Sequence, residues 1–306
     1  MRRKIIKQKS AYTITLPVKW IRENNLEKSN EVDVTEENTG LLITAQMQAS
    51  NRRTYLDFKK GNVYYYRILI ENEYLRGATD LDIKFPDQNS LRIIQETVAN
   101  LIGFEILDLG KSTCRVGQTA MPTVQEFKAI LNRLFNVLKY CQESVYADVV
   151  ANDFSHTAQV EKFESDTRRY SLFCRRILHS QSIVSRTDEF LWDLLLERLV
   201  ITGYEHFFMY QKLAAVKENT KVRPEIIKLY KKASAMFLLF TEMFFKKKVD
   251  DFTTINEQWQ EIFFKEGHSI IAKNKKESII LFHAINLSKM IWLISQPNTI
   301  TIEMPK

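Results

Sequence analysis

Seven basic residues crowd the first 22 positions: Arg2, Arg3, Lys4, Lys7, Lys9, Lys19 and Arg22. The first acidic residue is Glu23. Lysine and arginine at this density neutralise phosphate oxygens, and arginine can fork onto base edges. The other 284 residues balance, with 37 basic and 37 acidic side chains, so the net charge of +7 resides entirely in the opening stretch. That is the electrostatic footprint of a nucleic-acid-binding segment. A solvated basic tail is the plainer explanation, and the neighbouring residues must decide between them.

Other chemistry is harder to find. Glu161 and Glu164 stand three residues apart, Asp193 and Glu197 four apart, so each pair shares a helix face and could hold a metal between facing helices. Neither pair extends into an acidic ladder, and both read as solvated surface. His156, His179, His206, His268 and His283 have no histidine or cysteine three or four residues away. There is no GxSxG, HExxH or Walker-type loop. Without a nucleophile–base set the chain is expected not to be an enzyme and to need no cofactor. Cys114, Cys141 and Cys174 are odd in number and far apart, which suits a reducing compartment. The N-terminus turns polar at once, and apolar runs such as Met236–Phe240 are short. A cytoplasmic location without membrane insertion is therefore expected.

The basic residues need a scaffold. Residues 1–48 read as a β-rich unit. Tyr12, Ile14 and Leu16 alternate with Thr13 and Thr15, the period of a half-buried strand. Pro17 ends that strand and opens a short helix to Glu23, which Asn24-Asn25 stops. Glu31–Val34 and Leu41–Ala45 form two more strands around Gly40. The expected core is Ile5, Tyr12, Ile14, Leu16, Trp20, Leu26, Val32 and Leu42. So small a core usually needs a partner, which makes a homodimer through this domain the natural expectation.

Residues 50–118 alternate strand and helix as a small α/β module: strands at 54–58, 80–85 and 104–109, helices at 63–75 and 88–101. From 122 to 297 the pattern is helical. Thr123 and Glu126 form a capping box, and Val124, Phe127, Ile130, Leu131, Leu134, Leu138 and Cys141 recur at steps of three and four. Six helices with short connections suggest two antiparallel three-helix bundles in tandem, making the whole chain multidomain α+β.

Arg3-Lys4-Ile5, Tyr12-Thr13-Ile14-Thr15-Leu16-Pro17, Lys19-Trp20, Leu26 and Glu31-Val32 resemble the AbrB/MazE/SpoVT swapped-hairpin DNA-binding domain. The resemblance implies two interleaved protomers binding DNA through Arg2, Arg3, Lys4, Lys7 and Lys9, with Lys19 and Arg22 beside them. Glu73-Tyr74-Leu75-Arg76-Gly77, the following Asp-Leu-Asp-Ile strand, Leu101–Ile106 and the helix count resemble archaeal PhoU-like proteins that carry this domain. That implies a transcriptional regulator of phosphate uptake, with a phosphate-transport or signalling protein as a further partner. PhoU helices carry paired acidic residues for metal, but here Arg168 and Met209 replace the distal carboxylates of the Glu164 and Glu205 stretches, so no metal is expected. Two alternatives stand beside this reading: an adaptor that docks on a transporter or sensor without binding DNA, and an antitoxin-like partner protein.

Overall fold

A computed structural model describes residues 2–37, 40–45, 52–59, 63–181, 183–217, 220–296, 299, 302 and 304. The chain divides into two compact units, residues 1–50 and 51–306.

The first unit contains two antiparallel hairpins and two short helices. β1 (Ile5–Gln8) pairs with β2 (Ala11–Ile14), placing Ile5 opposite Ile14 and Lys7 opposite Tyr12. Pro17 keeps extended dihedrals as the N-cap of α1 (Val18–Glu23). Asn25, left-handed at φ 55°, turns the chain into α2 (Leu26–Ser29). β3 (Val32–Glu37) then pairs with β4 (Gly40–Ala45). The strand at Ile5–Gln8 and the helix α2 go beyond the sequence-based expectation, and β2 stops at Ile14, short of Leu16.

The second unit opens with a four-stranded sheet in the order β5-β6-β8-β7. β5 (Arg53–Asp57) crosses through α3 (Val63–Leu75) to the parallel strand β6 (Asp80–Lys84). Gly77, at φ 83°, supplies the left-handed residue just past α3. α4 (Gln88–Ala99), capped by Asp87, leads to β7 (Phe104–Leu109), and β8 (Thr113–Gln118) returns between β6 and β7. Leu81, Ile83, Cys114 and Val116 point to the face that packs with Ile70, Tyr74, Ile94 and Val98 of the helices. The opposite face carries cross-strand ion pairs, Arg53 with Asp82 and Arg115 with Asp80 at 2.7 Å.

The helical part comprises α5 (Val124–Ala151), α6 (Thr157–Gln181), α7 (Arg186–Ala214) and α8 (Pro224–Lys246). α9 (Phe252–Gln260) continues through a π-helical turn (Glu261–Glu266) into the short α10 (Gly267–Ser269) and then α11 (Lys275–Ile294). Thr123 and Glu126 form the expected reciprocal cap of α5. The two helical triplets do not have separate interiors. Phe135 of α5 stacks on Phe237, Phe240 and Phe244 of α8, and Trp192 of α7 meets Phe127 and Phe244 edge-on. One core runs through both groups. α11 is long and apolar enough to cross a membrane, which short apolar runs alone do not reveal. Its inward residues Ile280, Ala284, Leu287, Ile291 and Ile294 belong to that core.

Two arginines of α6 join the sheet module to the helices. Arg168 forms a buried ion pair with Glu71 of α3, meeting both carboxylate oxygens. Arg176 is 3% exposed and has no carboxylate partner among the described residues. Its guanidinium donates to the carbonyl oxygens of Tyr74 and Ala78 and to Gln118 Oε1. It also stacks on the rings of Tyr74 and Phe104, 4.6 and 4.7 Å from their centroids. Buried charge is tolerated only where polar partners replace water, and here carbonyls and π faces do so.

A second clamp closes the far end. Glu277 of α11 accepts from Arg223 Nε at 2.9 Å and from the Lys273 backbone at 2.8 Å. The Arg223 hydrogen bonds hold its carboxyl at about 2 against the upward push of burial.

Two outcomes follow from these contacts. Arg176→Met strands two buried carbonyls and half-buried Gln118, and is expected to lower stability by about 2–4 kcal/mol in urea denaturation. Glu277, depressed from an ordinary 4.5 to about 2 in the folded chain, contributes stability that is full above pH 4.5 and fades as pH falls towards 2. Glu277→Gln should therefore lower the melting temperature at pH 7 and flatten its decline between pH 5 and pH 3, as thermal melts would show.

Candidate nucleic-acid interface

The first unit has almost no interior. Among its described side chains only Leu26 is buried, at 5% exposure. Ile5 is 70% exposed, Tyr12 67% and Ile14 48%, while Leu16, Trp20 and Val32 are half-buried. The expected core is thus not assembled within one chain. The physical reason is geometric: each hairpin is a separate two-stranded ribbon, and such a ribbon presents both faces unless something packs on them. The Leu42 side chain lies outside the described residues.

The seven basic residues are all exposed, but they fall into two groups. Arg2, Arg3 and Lys4 lead into β1, Lys7 lies on it, and Lys9 sits in the two-residue turn to β2. None of these five forms an ion pair among the described residues. Lys19 and Arg22 lie on α1 and are already partnered, Lys19 with Glu23 at 3.8 Å and Arg22 with Glu27 at 3.1 Å. A cation beside a carboxylate retains little field for a phosphate, so the hairpin group is the stronger anion-binding surface. Counting charges over residues 1–22 missed these two acids because both lie just past the window.

Lys9 has a further peculiarity. It holds φ 49°, the left-handed region that non-glycine residues enter at a cost. A tight hairpin turn requires such a conformation, and glycine is its usual occupant.

The carboxylate pairs are committed elsewhere. Arg175 of α6 bonds Asp193 at 2.7 Å and also pairs with Glu197, while His179 lies 3.0 Å from the same Asp193. Burial pushes the Asp193 carboxyl up, but hydrogen bonds from His179 and Arg175 outweigh it and hold it at about 2. Glu161 is exposed, and burial raises the Glu164 carboxyl. Arg168 pairs with Glu71, Met209 is fully buried in the helical core, and Glu205 bonds His283 at 2.7 Å. Among the described residues no three His, Cys, Asp or Glu side chains converge as metal ligands. His156 and His206 are occupied by Asp148 and Tyr230. The three cysteines are separate buried thiols.

Substituting Lys9 with glycine separates its two roles. Lys9→Gly is expected to stabilise the hairpin by roughly 0.5–1 kcal/mol by relieving the left-handed strain, while removing one cation. Amide hydrogen exchange over residues 5–14 would show it.

Comparison with known families places these residues. Residues 5–50 match the model of the family described as antidote-toxin recognition MazE, bacterial antitoxin. Comparison with curated proteins gives no match, and neither does comparison with solved structures. The N-terminal unit is thus a small β-rich MazE/AbrB-like domain, followed by a mostly helical remainder.

Proposed function

We propose that the protein is a DNA-binding transcriptional regulator that acts without catalysis and works as a homodimer through its N-terminal domain. One observation carries this reading. Five cations without an ion pair among the described residues cluster on a hairpin whose apolar residues remain exposed, in a domain of MazE/AbrB-like type. A second protomer would cover Ile5, Tyr12 and Ile14 and double the basic surface, matching two half-sites of an operator. The phosphate backbone then supplies affinity and Arg2 or Arg3 reads base edges.

The helical unit is the regulatory part of this proposal. Phosphate status is its signal and a transport or signalling protein its partner in this reading, which rests on the motifs that resemble PhoU-like proteins and on the five long helices. Metal is given no role in this scheme: Asp193, Glu197 and Glu205 serve ion pairs, and Met209 lies in the core.

Fluorescence anisotropy with the DNA upstream of the protein's own coding region, across a salt series, tests the proposal. The intact chain should show a steep log–log slope, about −0.9 per phosphate contacted. Arg2/Arg3/Lys4→Ala should cut that slope by about five, because each protomer of the dimer loses three cations. Lys19/Arg22→Ala should change it less, since both cations are already paired. Sedimentation equilibrium should give a dimer that Ile14→Glu dissociates. Absence of salt-dependent binding at low salt would reject DNA recognition and move the function to the helical surface, as an adaptor.

A further inference from the structure

Between α5 and α6, away from the basic hairpin's own unit, lies a half-open cavity of about 320 Å³. Its wall includes Arg133 and Ile130 of α5, Arg169, Tyr170 and Phe173 of α6, and Ile102 from the turn before β7. The volume falls at the lower end of the range of small-molecule sites.

Its two arginines, exposed Arg133 and half-buried Arg169, differ from others of the helical part. Arg168, Arg175, Arg176, Arg198 and Arg223 all have carboxylate or carbonyl partners. Arg133 and Arg169 have no ion pair among the described residues. Arg169 Nε is buried and makes no hydrogen bond. A guanidinium N–H that is removed from water without an acceptor is costly, and such groups are normally satisfied. The cavity is where an acceptor can enter.

Glu126 also lines the cavity, but its Oε2 is engaged by the backbone and hydroxyl of Thr123 at 2.8 and 2.9 Å. Two guanidinium groups against one carboxylate leave the cavity net positive. Phe173, Ile130 and Ile102 add an apolar wall. A planar fork of donors suits an oxyanion, and the apolar wall suits the body that carries it.

We propose that this cavity binds a small oxyanion-bearing molecule, a phosphate ester or carboxylate with an apolar body, clasped by Arg133 and Arg169. The site belongs to the helical unit and is independent of DNA recognition. Its occupant spans α5, α6 and the turn before β7, so it tightens the packing of the sheet module on the helices.

Isothermal titration of the full chain at constant ionic strength tests this, with inorganic phosphate, phenyl phosphate and benzoate as probes. Phenyl phosphate should bind at one saturable site, more tightly than inorganic phosphate, because its ring gains the apolar wall. Arg133→Met and Arg169→Met should each weaken it roughly tenfold or more. Arg2/Arg3/Lys4→Ala should leave it unchanged, which excludes the basic hairpin as the source. A preference for benzoate would keep the site and assign it to carboxylates. Arg133 is exposed and Arg169 Nε unpartnered, so both variants should melt no lower than the parent, separating lost binding from lost fold. The proposal is overturned if no probe saturates, or if both methionine variants bind as the parent does.

Discussion

Arg176 carries a full charge into the seam between the sheet module and the helices and finds no carboxylate there among the described residues. Its solvation comes instead from the Tyr74 and Ala78 carbonyls, Gln118 and two aromatic faces. Each acceptor comes from a different place: the end of α3, the turn before β6, and the end of β8. The guanidinium therefore has its partners only when all three are in register, and any loosening exposes an unsolvated ion. The Arg168–Glu71 pair two turns earlier on α6 repeats the constraint against α3. Residues 51–306 behave as one unit because this seam is polar and directional, where two apolar surfaces would be free to slide.

The N-terminal domain follows the opposite logic. Among its described side chains one is buried, so little within the single chain specifies its arrangement. In the proposed homodimer, association supplies the stability missing inside, and folding and assembly become one event, dependent on concentration.

How far the sequence discloses all this depends on the range of each interaction. Helices α5, α6, α7 and α8 are legible because their apolar steps and the Thr123–Glu126 cap are local. β1 is not, since Ile5-Ile6-Lys7-Gln8 shows no alternation. β8 is not either: Thr113-Cys-Arg-Val alternates over only four residues before Gly117 interrupts it, and β6 and β7 pair with it on both sides. Gly117 shows the same dependence, because a Cβ there would come within 2.3 Å of Leu107 Cδ1. At the candidate interface the cluster of cations is visible by counting, but the split between free and paired members needs the α1–α2 turn that brings Glu27 to Arg22. Arg168 and Glu71 are 97 residues apart, and no local pattern joins them. Arg133 and Arg169 are in the same position: each looks like an ordinary helical surface residue until α5 and α6 pack.

The strand order β5-β6-β8-β7 has a bearing on synthesis. The strand made last fills an inner place, so the sheet stays open on the ribosome until residue 118 has emerged. A vectorially growing chain thus presents β6 with an unpaired edge until β8 is made, at a rate of about 5–20 residues per second. Even then the Tyr74 and Ala78 carbonyls wait for Arg176, most of two helices later. The capped, strongly periodic α5 emerges between the two. The long helices are in this sense the chaperone of the module that precedes them.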